Sequence, residues 1–313
     1  MQISAQTQTI VNKKIKFTTI EDISEVKTGI GTGDNKYYLC KIPEETGGYK
    51  KIDISKVLKN EEIQKIKNNE KLRLSIISNG INPKLFGGRT ILPLDKGGSS
   101  DIESGRLSNY FSLPGFFIDY SKKNVERIKT LTIADRKRHY GEKNILKSDE
   151  GNVASRFQNI EYNFKDGITF SKAGIYTPLF RVSTGAIFND GGNCLFVYEK
   201  YQSFFTIPYL LGVLCSKLQK YLLKTFVNNS INIQVDDVKK SPIPICEKSQ
   251  KQEMEKLVKE IIKKQKEDPD YNYQDHEQKE IDQLVYEIFG LDQELIDEVE
   301  TWYARRYPKL VRN

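Results

Sequence analysis

Between Leu85 and Arg181 the sequence sets turn glycines, short strand-like runs and a dense basic segment side by side, and supplies almost none of the side chains that do chemistry. Gly87, Gly88, Gly97 and Gly98 bracket the run "RTILPLDK", and Phe116–Tyr120 reads "FFIDY". Strands joined by tight turns are expected here. From Lys122 to Lys147 nine basic residues (Lys122, Lys123, Arg127, Lys129, Arg136, Lys137, Arg138, Lys143, Lys147) stand against three acids (Glu126, Asp135, Glu142). Such a surface suits a polyanion.

Charge is segregated along the whole chain. The overall net charge is +7, but residues 1–246 carry 37 Lys/Arg and 25 Asp/Glu, net +12, and residues 247–300 carry 8 and 17, net −9. A field that collects phosphate would repel that acidic stretch, so a nucleic-acid-facing body and an acidic tail turned elsewhere are expected. Charge runs by themselves also fit an ordinary solvated surface.

At 313 residues the chain has room for about two domains. With 38% hydrophobic and 11% aromatic residues, wholesale disorder is excluded. No apolar run approaches the roughly 20 residues of a membrane span. The polar start, Met1–Lys16, has no apolar secretory core, so an unexported, cytoplasmic protein without membrane contact is expected. Cys40, Cys194, Cys215 and Cys246 are isolated, which points to buried thiols in a reducing compartment. The two histidines, His139 and His276, lack metal-ligand spacing.

The pattern predicts an α+β chain. A lead-in strand or loose terminus at 1–18 precedes short glycine-broken runs at Glu21–Lys51, including "TGIGTGDNKYYL" and "TGGY". A helical interval follows, carried by Ile54, Val57, Leu58, Ile63 and Ile66; residues 72–120 return to strand and loop. A helix capped by Ser121 carries Val125, Ile128 and Leu131, with Arg136, Lys137 and Arg138 at its end. Residues 152–200 alternate aromatic strands with turns, and Pro208 opens an apolar helix over Tyr209–Leu222. "SPIPI" at Ser241–Ile245 marks a boundary between a body at 1–245 and a helical tail at 246–313. The tail shows three amphipathic stripes, on Met254–Ile262, Ile281–Phe289 and Leu295–Tyr303, with an acidic loop at Lys266–Gln278.

Two stretches invite a catalytic reading. "GIGTGD" at Gly29–Asp34 is like a nucleotide or methyl-donor loop, but such a loop lies between a buried strand and a helix, and here "KYYL" follows; a turn fits better. Pro269, Asp270, Glu277 and Lys279 resemble the carboxylate and lysine set of a metal-dependent nuclease. They fall in a polar acidic connector, which a solvated loop explains as well. No Ser/His/Asp or Cys/His constellation and no (Asp/Asn)-Pro-Pro-aromatic tetrapeptide occurs. What remains suits gripping a duplex: the basic segment, and Arg89, Lys96, Arg106, Arg156, Lys165, Lys172 and Arg181 in or beside turns.

The segments "GGRTILPLDKGGSSD", "FFIDYSKKNVERIKTLTIADRKR", "FKDGITFSKAGIYTPLFR", "AIFNDGGNCLFVY", "YLLGVLCSKL" and "EIDQLVYEIFGL" occur in this order. Together they resemble the carboxy-terminal target-recognition region of adenine-N6 DNA methyltransferases of the type IIG restriction-modification and BREX phage-exclusion kind. "SEVKTGIGTGDNKYYL" is similar to the opening of such a domain, and the helix leading to "SPIPI" to the segment that closes it and the type I specificity subunits. Cys215 departs from the asparagine of that pattern, and the catalytic domain that precedes this region in the family is not among the 313 residues. The resemblance implies a division of labour: a separate methyltransferase domain or subunit binds S-adenosylmethionine and flips the adenine, while this chain holds double-stranded DNA and selects the sequence. The tail then docks on, or braces against, the catalytic part.

The expected function is therefore DNA target recognition without catalysis, cofactor or metal in this chain. Arg89, Lys96, Lys122, Lys123, Arg127, Lys129, Arg136, Lys137, Arg138, Arg156, Lys172 and Arg181 are the candidate DNA contacts. The alternatives are the nuclease and a scaffold whose basic face meets an acidic protein.

Overall fold

The computed structural model describes residues 15–42, 48–97, 108–172 and 178–311. Arg106 and the turn at Gly98, both singled out in the sequence, lie outside them. In chain order the first elements are β1 (Lys16–Thr19), α1 (Ile20–Ile23), β2 (Ser24–Lys27), α2 (Asn35–Tyr38), β3 (Leu39–Lys41), β4 (Lys50–Lys51), α3 (Asn60–Lys67) and α4 (Glu70–Asn79). There follow β5 (Ile91–Asp95), β6 (Phe116–Asp119), α5 (Lys122–Thr130), α6 (Ile133–His139), α7 (Lys147–Gly151), β7 (Ile168–Ser171), β8 (Phe180–Val182), β9 (Ile187–Phe188) and β10 (Gly192–Val197). The last third holds α8 (Ile207–Cys215), α9 (Lys217–Leu222), α10 (Val235–Lys239), β11 (Pro242–Ile245), α11 (Lys248–Glu267), α12 (Glu277–Phe289), α13 (Gln293–Arg306) and α14 (Pro308–Val311).

The fold is α+β, as the patterning predicts. One sheet runs β4-β3-β6-β5-β9, a second runs β2-β10-β7-β8, and β1 pairs with β11 alone. Most pairings are antiparallel; β3 with β4 and β5 with β9 are parallel. Every residue of β10 except Val197 is buried, in keeping with its place between β2 and β7. Among the described residues no helix is long and apolar enough to cross a membrane.

Two cores organise these layers. The larger joins Ile20, Phe170, Leu195, Leu210, Leu214, Met254, Ile281 and Val299; the second joins Tyr38, Ile66, Ile76, Leu92, Ile118, Val125, Ile128 and Ile187. The larger core runs across residue 245, and the expected boundary at "SPIPI" is a strand hydrogen-bonded to β1. Packing therefore does not separate the tail helices from the body at that point. α11 lies close along α8 because Gly212 has no side chain: a Cβ there would stand 2.2 Å from the Met254 sulfur.

Four local expectations change, the first at "KYYL": read as strand, it is helical through Tyr38 in α2, and only Leu39 enters β3. Residues 72–79, read as strand and loop, belong to α4, which is capped by the Asn69 side chain and closed by Gly80 at positive φ (+77°). The helix after Ser121 ends at Thr130, and Arg136–Arg138 belong to a separate α6 capped by Thr132. The single apolar helix over 209–222 breaks at Ser216, whose extended backbone (ψ 157°) ends α8 and whose hydroxyl accepts from the Gln219 amide to start α9.

"GIGTGD" is a packed turn, not a cradle. The Ile30 amide donates to the Phe188 carbonyl (3.0 Å), and Gly31 exchanges backbone hydrogen bonds with Arg156 (3.0 and 2.7 Å). A Cβ on Gly29 would sit 2.1 Å from the Phe188 carbonyl oxygen, and Gly33 holds φ +71° against the Ala154 backbone. Gly29→Ala is expected to cost about 1–3 kcal/mol, because backbone must move to admit the methyl group. Gly151→Ala, which adds a methyl with nothing within 4 Å, is the control; comparable urea midpoints for the two would contradict the close packing.

Candidate nucleic-acid interface

Val125 and Ile128 anchor α5 in the second core, so the helix presents its basic residues outward and toward α2. Asp34 caps α2 by accepting from the Tyr37 amide (3.2 Å). Its carboxylate also accepts from the Tyr140 hydroxyl (2.6 Å) and lies 3.7 Å from Arg127 Nη2. Burial first, and then the bond to Asp34, push the Tyr140 phenol up to about 12, so it remains a donor at neutral pH.

Around this corner cations and aromatic rings alternate. The Arg127 guanidinium lies 3.8 Å from the Tyr37 ring centroid and donates to the Tyr38 hydroxyl (2.7 Å). The Lys50 ammonium lies 4.1 Å from the same Tyr37 centroid, and His139 packs edge-on against that ring at 5.9 Å. Arg136 donates to the Gly33 carbonyl (3.1 Å). One residue before Lys50, Tyr49 packs on Phe116 at 5.2 Å, and Lys96 and Lys41 stand over Phe116 at 4.4 and 4.9 Å. The contacts form a belt of two groups, Lys41, Lys96 and Tyr49 around Phe116 and Lys50, Arg127 and His139 around Tyr37, which meet along the chain at Tyr49 and Lys50; Arg136 stands beside the second on the Gly33 carbonyl. It draws on α2, β3, β4, β6, α5 and α6, with Lys96 just beyond β5.

Lys122 and Lys123 are exposed in the first turn of α5, a turn without acids and without a side-chain cap bond from Ser121. Cations at a helix N-terminus oppose its dipole by about 0.3–1 kcal/mol each. An arriving anion reverses that penalty.

Of the twelve expected contacts, Lys96, Arg127 and Arg136 join the belt, and Lys122 and Lys123 make no ion pair among the described residues. The others are dispersed or engaged. Arg89 forks onto Glu62 (2.6–3.1 Å), Lys137 pairs with Asp149 (2.8 Å), and Arg156 pairs with Asp190 (2.8 Å). Arg138 is held by Asp135 and Glu150, and Lys129 donates to the Ser78 carbonyl. Lys172 is half-buried at the end of β7, where its carbonyl accepts from the Ile233 amide (2.9 Å).

Arg181, expected in or beside a turn, lies instead in the buried strand β8 and is 5% exposed. Its Nη2 donates to the Gly97 carbonyl, and its charge opposes the upward pull of burial on the Asp95 carboxyl, which still lies at about 6.

Tyr37, Tyr38, Lys41, Tyr49 and Lys50 are not among the residues the sequence singles out. The usable signal was the aromatic doublet in "NKYY" beside a basic run, which read only as a strand.

Within the nuclease set, Glu277 is turned inward and Lys279 outward. Glu277 is buried at the start of α12, where Lys264 (2.7 Å) and the Tyr271 hydroxyl (2.8 and 2.9 Å) donate to its carboxylate; Lys279 is exposed on the helix. Among the described residues no group of three or more His, Cys, Asp or Glu is placed to hold a metal ion. Compared with known proteins, the sequence matches no family model, and no curated protein matches it.

Proposed function

We propose that this chain is a DNA target-recognition module that holds a duplex for an adenine-N6 methyltransferase domain or subunit carrying S-adenosylmethionine. The observation that supports it is the belt of cations and rings from Lys41 and Lys96 to Arg127 and Arg136, flanked by the acid-free first turn of α5. Phosphate contacts from such a belt fix register, and arginine and polar side chains on neighbouring loops read base edges. The methyltransferase part of the reading comes from the ordered sequence resemblance. The tail helices share the larger core and brace the body.

The test compares two triple variants of the whole chain. Lys50→Gln, Lys122→Gln and Lys123→Gln together are expected to weaken duplex binding at least about tenfold near 0.1 M salt and to flatten the salt dependence by about two units. Lys256→Gln, Lys259→Gln and Lys263→Gln remove three exposed charges from α11 and are expected to leave both quantities unchanged. Equal losses in the two triples would remove the belt from the function.

A further inference from the structure

A recess of about 300 Å³ opens beside β5, β6 and β8, lined by Lys41, Asp95, Lys96, Phe116, Arg181 and Thr184 among others. These lining cations outnumber the single carboxylate, and that carboxylate is already engaged: Asp95 Oδ2 accepts from the Thr184 amide and hydroxyl, both at 2.9 Å. Arg181 is the unusual member. Its side chain is nearly inaccessible, and Nη1 has no hydrogen-bond partner. A buried donor left unpaired costs about 1–3 kcal/mol, more when charged, and native proteins keep few of them. At the opening, Lys96 is steadied over Phe116 (4.4 Å) and beside the Tyr49 hydroxyl (3.4 Å), which leaves ammonium protons for another acceptor.

We propose that this recess binds a phosphate group, with Lys96 at its mouth and the Arg181 fork at its floor donating to the phosphate oxygens. Guanidinium geometry matches two phosphate oxygens at once, and a low-dielectric floor strengthens each such bond. The volume lies at the small end of the range for ligand sites and leaves room for an attached sugar. Two sources share this chemistry. A backbone phosphate of the duplex is the one that rests on the function proposed above; a free phosphate or mononucleotide is the other.

The test titrates inorganic phosphate against chloride at equal ionic strength, and separately a short duplex. The chains are the wild type, Lys96→Met and Arg181→Lys, each checked for folding by circular dichroism. Wild-type binding of phosphate in preference to chloride, weakened about tenfold in either folded variant, is the expected result. Competition between phosphate and duplex then assigns the site to the DNA backbone. Phosphate binding with no duplex binding at all upholds the recess as a free-anion site while the DNA reading fails. A wild type that shows no preference for phosphate, or folded variants that bind it as well as the wild type, overturns the proposal.

Discussion

Asp282→Ala is expected to lower the stability of the chain by about 3–5 kcal/mol at neutral pH. Asp282 is buried on α12, accepting from the Lys217 amide at the start of α9 (2.8 Å) and from the Gln278 side chain (3.1 Å). Lys220 is buried nearby, donating to the Cys215 carbonyl (2.8 Å), with its proton affinity lowered by burial and partly restored by Asp282. Removing the carboxylate leaves a buried ammonium without a counter-charge and a helix-start amide without an acceptor. Lys220→Met added to Asp282→Ala should recover part of the loss, since then neither charge is buried alone. Trp302 is the single tryptophan and packs on Tyr221 across the same seam (5.4 Å), so its fluorescence during urea unfolding reports the docking of α13 directly. An Asp282→Ala chain with an unchanged midpoint would mean the seam is held by apolar packing alone.

Arg181→Met is expected to cost a similar amount, about 3–5 kcal/mol at pH 7.5, because it strands the buried Asp95 carboxylate. Here the pH dependence is diagnostic. Burial raises the Asp95 carboxyl above its usual value, to about 6, and the Arg181 charge opposes that rise. A carboxyl raised on folding contributes stability that is complete below its unfolded value and is lost as pH climbs through the folded one. Without Arg181 the folded value rises further, so the variant regains stability on acidification more steeply than the wild type. The gap between the two should narrow from pH 7.5 to pH 5 in urea melts. A gap independent of pH would show that Arg181 contributes packing and no charge compensation.

The tail was legible because Met254, Leu257, Val258 and Ile261, and likewise Ile281, Leu284, Val285 and Ile288, repeat at helical spacing and are buried as that spacing requires. α4 was not, because Leu72, Leu74, Ile76 and Ile77 do not form one stripe and only Ile76 and Ile77 of them are buried. Its signals were the caps at Asn69 and Gly80. Beside the break at Ser216, the Lys217 amide that starts α9 donates to Asp282, an acceptor 65 residues away that no local window contains. The same limit governed the basic residues. Their number was plain in the sequence, but Glu62, Asp149 and Asp190, which engage Arg89, Lys137 and Arg156, come from elsewhere in the chain. Arg181 looked like a turn residue and proved to be a core residue, while Lys50 gained its meaning only when β4 paired with β3 and brought it over Tyr37.

The most direct measurement is the affinity of the intact chain for duplex DNA across a series of salt concentrations. Log affinity is expected to fall linearly with log salt, with a slope of about −3 or steeper, as at least three to four phosphates exchange their counterions for the belt and the first turn of α5. Absence of duplex binding at about 0.05 M salt, or binding that ignores salt, would contradict a body built to grip nucleic acid.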